Sequence, residues 1–446
     1  MRHCPALFIS APASGQGKTT VTAGLARLHR RLGRRVRVFK SGPDFLDPMI
    51  LAQASGAPVY NLDLWMVGLA ECRRRLYEAA AVADLILIEG VMGLYDGNPS
   101  SADLCRAFGV PALAVIAAQS MAQTFAAIAY GLARFQADVP FYGVLANRVG
   151  SERHLSLLRD ALPPELHWAG HLSARQEVQL PTRHLGLTQA GEIADLEQRL
   201  ERAADAMAGT TLRELPPPVA FHADDSGCAI TRPGLPRLLE GQRIAVARDA
   251  AYSFLYPANL ELLEQLGAHL SFFSPLDNQL AGQVDAVYLP GGYPELYLER
   301  LAGNTATASA LRAHVAAGKR LVAECGGMLY LLDTLTDAAG SNAPMCGILP
   351  GHAQLQSRFA GLGMQYLKYP EDSSPDSGLR GHTFHYSKLD TSMAPWIRAI
   401  NPNSDAPGEA FYRAGPVRAT YMHCYFASDP YFTANLFTRF PDEPML

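Results

Sequence analysis

Apolar positions in this chain fall in short continuous runs separated by longer stretches of mixed character. Ala6–Ala11 (Ala-Leu-Phe-Ile-Ser-Ala) is the first run, and its continuity predicts a strand buried on both faces. A glycine-rich turn follows, then a helical pattern from about Lys18 to Leu32. Further strands are predicted at Val36–Lys40, Asp84–Glu89, Ala112–Ala118 and Tyr142–Asn147, with helical stretches between them, notably Met121–Phe135. Alternation of this kind predicts a parallel sheet with helices on both faces.

The alternation lapses over Glu214–Gly234, where Pro216-Pro217-Pro218 and Asp224-Asp225-Ser226-Gly227 mark an interdomain connection. It resumes with a strand at Arg243–Arg248, a helix at Asn259–Leu266, a strand at Asp285–Leu289, a helix at Ala308–Ala317 and a strand at Arg320–Glu324. The expected fold class is therefore α/β in two domains, residues 1–213 and 242–446, joined by a linker over 214–241. No internal repeat or low-complexity segment interrupts them.

Composition narrows the class. A chain of 446 residues exceeds one ordinary core, and 48% hydrophobic with 18% charged residues suits a soluble globular protein. A formal charge of −4 gives no electrostatic reason to expect nucleic acid or an anionic membrane as partner. No run of 18 apolar residues predicts a membrane span, and Met-Arg-His-Cys-Pro leads straight into the first strand, so no leader is expected. The seven cysteines are scattered, with no CxxC pair, which fits a reducing cytoplasm.

Two reaction centres stand out. Ser14-Gly15-Gln16-Gly17-Lys18-Thr19-Thr20 lies between a strand and a helix, where backbone N–H groups and the helix N-terminus meet phosphate oxygens. Lys18 is placed to reach the β- and γ-phosphates and Thr19 to ligate Mg²⁺, although Pro12 stands where the full pattern has glycine. Lys40-Ser41-Gly42-Pro43-Asp44-Phe45-Leu46-Asp47-Pro48 follows the second strand, at the carboxyl edge where ligands bind. It offers Lys40 for a transferring phosphoryl group and Asp44 and Asp47 for metal, and Glu89 ends the next strand at the same edge. Each carboxylate alone reads equally as a solvated loop residue; their convergence makes a site for ATP and Mg²⁺.

The second centre is Cys325, in Leu-Val-Ala-Glu-Cys-Gly-Gly. A strand-to-helix turn there exposes a thiol whose pKa a helix N-terminus is expected to lower. Gly326 is positioned to donate an oxyanion N–H, and Gly291-Gly292 after the strand Asp285–Leu289 offers the second. His423, at another strand end, is the candidate base. His382 and His385 read equally as pocket-lining histidines or as part of a polar strand, and Cys346 and Cys424 read as structural.

These residues resemble a known family along nearly the whole chain. Ser14–Thr20, Lys40–Pro48, Asn61-Leu62-Asp63 and Ile88-Glu89-Gly90-Val91-Met92-Gly93-Leu94-Tyr95-Asp96-Gly97 look like the synthetase half of cobyrinic acid a,c-diamide synthases, itself similar to dethiobiotin synthetase. Leu289–Glu295, Ala323–Met328, Gly381–Ser387 and Tyr421–Phe426 look like their class I glutamine amidotransferase half. The resemblance implies ATP- and glutamine-dependent conversion of the c- and then the a-acetate of a corrin, cobyrinic or hydrogenobyrinic acid, into amides. It implies Mg²⁺ on Thr19, Asp47 and Glu89 with Asp44 close by, and a role for Asp96, Phe45 and Leu46 in placing the macrocycle. Relatives often carry tyrosine where this chain has Phe45, and Tyr425 stands where most class I glutaminases have their third triad residue, a glutamate. A homodimer is plausible for a dethiobiotin-synthetase-like half.

On this reading Cys325 releases ammonia from glutamine, and the other centre makes an acyl phosphate that the ammonia attacks along an enclosed path. A regulatory ATPase with a deviant phosphate loop is the reading from another class, but its extra lysine would stand at Ala13, and it has no use for Cys325 and His423. Cobyric acid synthase differs in its synthetase-half motifs, and a nickel-sirohydrochlorin diamide synthase shares the chemistry on another tetrapyrrole.

Overall fold

A computed structural model describes residues 1–174, 189–223, 235–279, 281–369 and 378–438. The chain divides into two compact units, Met1–Cys228 and Ala229–Leu446.

In the first unit β1 (Arg2–Ser10) leads into α1 (Lys18–Arg31), β2 (Val36–Ser41), α2 (Leu46–Ser55) and β3 (Tyr60–Leu62). Then come α3 (Leu69–Val82), β4 (Leu85–Glu89), α4 (Ser101–Phe108), β5 (Ala112–Ala117), α5 (Thr124–Arg134) and β6 (Phe141–Val149). The unit ends with α6 (Glu152–Asp160), β7 (Trp168–Ser173), α7 (Leu196–Ala208) and β8 (Pro218–Phe221). The sheet runs β3-β2-β4-β1-β5-β6-β7 with parallel neighbours throughout. β4 and β5 are buried at every position, as expected of central strands covered on both faces. Leu113 and Val115 of β5 pack with α1, α2 and α7, and Ala114 and Ile116 face α5 and α6, so the two-residue period of the strand feeds two cores.

Register sets the site. Lys40 of β2 lies opposite Glu89 of β4, and Ile9 of β1 lies opposite the same Glu89. The glycine loop, Lys40 and Glu89 therefore emerge together at the carboxyl edge. One expectation is corrected: Pro218–Phe221, within the stretch read as linker, is strand β8, antiparallel to the start of β1 with Pro218 opposite Pro5. Proline is tolerated at a strand's first residue, and Phe221 at its far end is buried. Residues 224–234 of that stretch lie outside the described residues.

The second unit opens with β9 (Arg243–Ala247), α8 (Pro257–Gln265), β10 (His269–Phe273), β11 (Ala286–Leu289), α9 (Leu298–Gly303), α10 (Thr305–Ala316), β12 (Arg320–Glu324) and α11 (Gly326–Leu331). It continues with β13 (Thr334–Thr336), β14 (Asn342–Pro344), β15 (His352–Leu355), β16 (Gly361–Leu367), β17 (Leu379–His385) and β18 (Ser387–Asp390). β19 (Ile397–Ile400), β20 (Pro407–Ala414), β21 (Val417–Thr420), β22 (His423–Cys424) and α12 (Pro430–Phe437) complete it. The main sheet is parallel across β10-β9-β11-β12-β21 and antiparallel onward through β20, β19, β16, β17 and β22. β14, β13, β15 and β18 form a separate small sheet. α8 starts at Pro257, ahead of the apolar period, because proline's fixed φ suits a first helical position.

Candidate active sites

The phosphate-type loop is shaped by its neighbours. Gly15 and Gly17 take φ of 77° and 96°, a left-handed conformation costly for other residues. A Cβ at Gly17 would also strike the Asn147 amide. That amide donates to the Gln16 carbonyl at 2.8 Å, Gln16 Oε1 accepts from the Ala117 N–H at 2.8 Å, and Arg148 donates to the Gly15 carbonyl at 3.0 Å. α1 opens with no side-chain cap, which leaves first-turn N–H groups, those of Thr19 and Thr20 among them, to meet an anion. Lys18 Nζ donates to the Met92 carbonyl at 2.6 Å and the Ala13 carbonyl at 3.3 Å. Burial, and then the charge of Lys40, push Lys18 down to about 8. Ser14 lies exposed on the loop. Asn147 went unnoticed in the sequence, although its place at the end of a predicted strand put it on the same edge.

Beside the loop is a buried charge cluster. Lys40 Nζ donates to Asp47 at 2.6 Å and Glu89 at 2.8 Å, with Asp44 at 3.4 Å. Burial opposes the Lys40 charge, but Asp47, Glu89 and Asp44 override it and hold the ammonium well above its ordinary value. Thr19 Oγ1 donates to Glu89 Oε1 at 2.9 Å, while Glu89 Oε2 is buried without a hydrogen-bond partner. Burial raises Glu89 to about 7 against the pull of Lys40. Burial and then Asp47 raise Asp44 to about 6; burial also works against Asp47, but Lys40 holds it down at about 2. Among the described residues no three carboxylate, histidine or cysteine groups form a preassembled metal cage. The hard oxygens of Thr19, Asp44, Asp47 and Glu89, with an unsatisfied Glu89 oxygen, nevertheless fit Mg²⁺, which takes few protein ligands and completes its shell with phosphates and water.

The remaining motif residues build the frame. Asn61 donates to the carbonyls of Gly42 and Asp44 at 2.8 and 3.0 Å, fixing the Lys40–Pro48 loop, and Asp63 caps the turn that follows β3. Asp96 accepts from the Gly93 N–H at 3.0 Å and bears electrostatically on Lys18. Phe45 and Leu46 are buried at the head of α2, at 9% and 7% exposure, so each presents little surface to a macrocycle.

In the second unit Cys325 occupies a strained elbow between β12 and α11, with φ 43° and ψ −111°. Such a conformation costs on the order of 1–3 kcal/mol in a non-glycine residue and marks strand-to-helix nucleophile turns. Its N–H donates to the Thr420 carbonyl at 2.8 Å, tying it to β21. His423 follows on β22, which pairs with His382 of β17. An added Cβ at Gly291 would overlap the His423 ring and lie 3.4 Å from Cys325 Cβ, so the candidate nucleophile, base and oxyanion turn are adjacent. At Gly292, φ 157°, a Cβ would strike the Ala251 carbonyl; at Gly326 it would meet Gly292 O.

The electrostatics correct one expectation. The first N–H of the six-residue α11, that of Gly326, does pull the thiol down but is outweighed: burial, and then Glu295, push Cys325 up. Burial and then His382 push His423 well below its ordinary value. The arrangement is a neutral thiol beside a neutral imidazole, poised to exchange a proton rather than holding an ion pair. His382 stacks on His423 at 5.0 Å and 23°, and burial lowers it to about 3. His385 stacks instead on Tyr421 at 3.8 Å and 8°. Tyr425 is buried with its ring 5.6 Å from Tyr256. Cys346 and Cys424 are buried.

Gly291→Ala should cut glutamine hydrolysis by on the order of 100-fold, because a methyl displaces His423 from Cys325 and a displacement near 1 Å costs about that much. Ammonia release measured by a coupled assay checks it; a variant within a few-fold of wild type would show that the contact does not position the pair.

Among the described residues no helix is long and apolar enough to cross a membrane. Residues 7–187 match the model of the CobQ/CobB/MinD/ParA nucleotide binding domain, and 243–431 match that of the CobB/CobQ-like glutamine amidotransferase domain. The chain is similar to a protein of Pseudomonas aeruginosa named hydrogenobyrinate a,c-diamide synthase, 61% identical over 97% of each chain. A Stutzerimonas stutzeri protein of the same name is 59% identical, covering 98% of this chain and 99% of its own. A cobyrinate a,c-diamide synthase of Herminiimonas arsenicoxydans is 48% identical over 97% of this chain and 96% of its own.

Proposed function

The chain belongs to the hydrogenobyrinate and cobyrinate a,c-diamide synthases, and from that premise we propose that it amidates the c- and a-acetates of a corrinoid in cobalamin biosynthesis. ATP activates each carboxylate and glutamine supplies the nitrogen. The match along 97% of both chains to a hydrogenobyrinate a,c-diamide synthase carries this reading and favours the cobalt-free acid.

A carboxylate resists ammonia because oxide is a poor leaving group, so transfer of the γ-phosphoryl to make an acyl phosphate precedes amide formation. First-turn N–H groups of α1 and Lys18 bind the phosphates, and Lys40 neutralises charge as the phosphoryl group moves. Mg²⁺, held by Thr19, Asp47 and Glu89 with Asp44 nearby, would screen the phosphate charge when bound. Asp96 is the polar residue that would help place the macrocycle and choose its side chain, with Phe45 and Leu46 shaping the head of α2. In the second unit His423 takes the Cys325 proton as sulfur attacks the carboxamide. The N–H groups of Gly292 and Gly326 steady the oxyanion, helped by the open backbone of Gly291. His423 then gives the proton to departing ammonia, and water hydrolyses the thioester.

The six described cysteines are free thiols, which supports a cytoplasmic setting. A homodimer is the assembly we propose, from the likeness of the first unit to dethiobiotin synthetase.

The test is incubation with hydrogenobyrinic acid, cobyrinic acid or nickel-sirohydrochlorin, each with MgATP and glutamine, followed by mass spectrometry. Two amides on hydrogenobyrinic acid are expected. Amides on nickel-sirohydrochlorin alone would overturn the corrinoid assignment.

A further inference from the structure

Three carboxylates bear on the Cys325 thiol, Glu295 most strongly, then Glu409 and Glu324. Two are already engaged. Glu324, at 2% exposure, accepts from the Tyr288 hydroxyl at 2.9 Å and the Cys424 N–H at 3.2 Å. Glu409 Oε1 accepts from Thr383 at 3.0 Å and faces His385 Nε2 at 2.9 Å. His385 Nδ1 faces the Ser387 carbonyl at 2.9 Å and must carry a hydrogen, because a carbonyl only accepts. The Nε2 contact needs a hydrogen as well, from the ring or from the carboxyl. The Glu409 carboxyl is therefore already partnered by Thr383 and His385.

Glu295 differs. It lies on the turn Pro294–Tyr297, directly after Gly291-Gly292. A Cβ on Gly326 would lie 2.8 Å from Pro294 Cδ, so this turn packs against the first residue of the helix that Cys325 leads. Glu295 is half-buried, and among the described residues its own N–H is the one group that donates to its carboxylate. No lysine or arginine is among the groups that bear most on the thiol. A carboxylate withdrawn from water without a cation is unfavourable, and a ligand carrying one relieves that cost.

We infer that Glu295 receives the α-ammonium of glutamine and so confines the thiol to carboxamides with an α-amino acid end. This rests on the proposed glutaminase reaction. Glutamine binds with its carboxamide at Cys325 and its ammonium at Glu295, and an amide lacking the ammonium leaves the carboxylate unpaired. Sites that pair a polar group of their substrate reject analogues without it by on the order of 10⁴-fold.

The experiment compares hydrolysis of glutamine and of glutaramate, which has hydrogen in place of the α-amine, by the full-length enzyme and its E295Q, E295D and E409Q variants. In wild type the preference for glutamine in kcat/KM should be about 10³–10⁴. In E295Q it should collapse to about tenfold, through a KM for glutamine raised roughly 100-fold at little-changed kcat, while glutaramate hydrolysis is retained. E295D should recover part of the preference. Equal loss of both substrates in E295Q, or an undiminished preference, overturns the assignment, and so does collapse in E409Q instead. Wild type that hydrolyses neither amide would refute the glutaminase reading itself, which is a different failure.

Discussion

Cys325→Ala should lower glutamine hydrolysis and glutamine-dependent amidation by on the order of 10⁶-fold, the scale on which removal of a catalytic nucleophile falls. Amidation supported by an ammonium salt should survive. The argument is geometric first: the thiol sits on a strained elbow, beside the His423 ring and the Gly291-Gly292 turn. It is also electrostatic. Burial keeps both thiol and imidazole neutral, so the reaction begins with proton transfer and needs the sulfur itself. The same neutrality sets a pH signature: kcat for glutamine should keep its acid limb well below the ordinary imidazole range, since a lowered His423 remains an acceptor as the pH falls. Parallel assays with glutamine and with ammonium chloride decide the matter. Loss of both activities in C325A would sink the division of labour between the two centres.

Much of this was legible because central parallel strands are written as continuous apolar runs. Leu85–Glu89 and Ala112–Ala117 are buried throughout, and each run ends at the edge where ligands gather. Lys18, Thr19, Lys40 and Glu89 therefore fall at one edge on the sequence pattern alone. What escaped was carried by residues distant in sequence and local in space. β16 has a mixed burial pattern and joins the sheet only through antiparallel partners, so no periodic signal announces it. The His385–Glu409 contact spans 24 residues and two strands. β8 hides in a proline-rich stretch because what makes it a strand is the exposed flank of β1. The direction of the Cys325 shift differs for a related reason: a helix start after Cys325 is visible in the sequence, whereas burial of the thiol ahead of it is a property of the fold.

Lys18→Ala is expected to have the opposite profile, ending amidation with either nitrogen source while leaving glutamine hydrolysis in place. Loss of one charged donor at a phosphoryl transfer site typically costs on the order of 10³-fold, and here the loss is not readily compensated. Lys40, a second cation at the site, is committed to Asp47, Glu89 and Asp44 at 2.6–3.4 Å. Among the described residues Lys18 donates to two backbone carbonyls, Met92 and Ala13, which a phosphate can replace without leaving a buried charge behind. On the proposed reading Lys18 is the cation that can leave its carbonyls to follow the γ-phosphoryl group, while Lys40 neutralises the transferring charge from a fixed place among the carboxylates. Lys40→Ala should accordingly behave differently, since it uncovers three acidic groups and destabilises the first unit itself. A thermal shift for K40A with none for K18A, alongside loss of amidation in both, is the expected pair of results. If K18A retains amidation within tenfold of wild type, the loop binds its nucleotide without that lysine and its assignment fails.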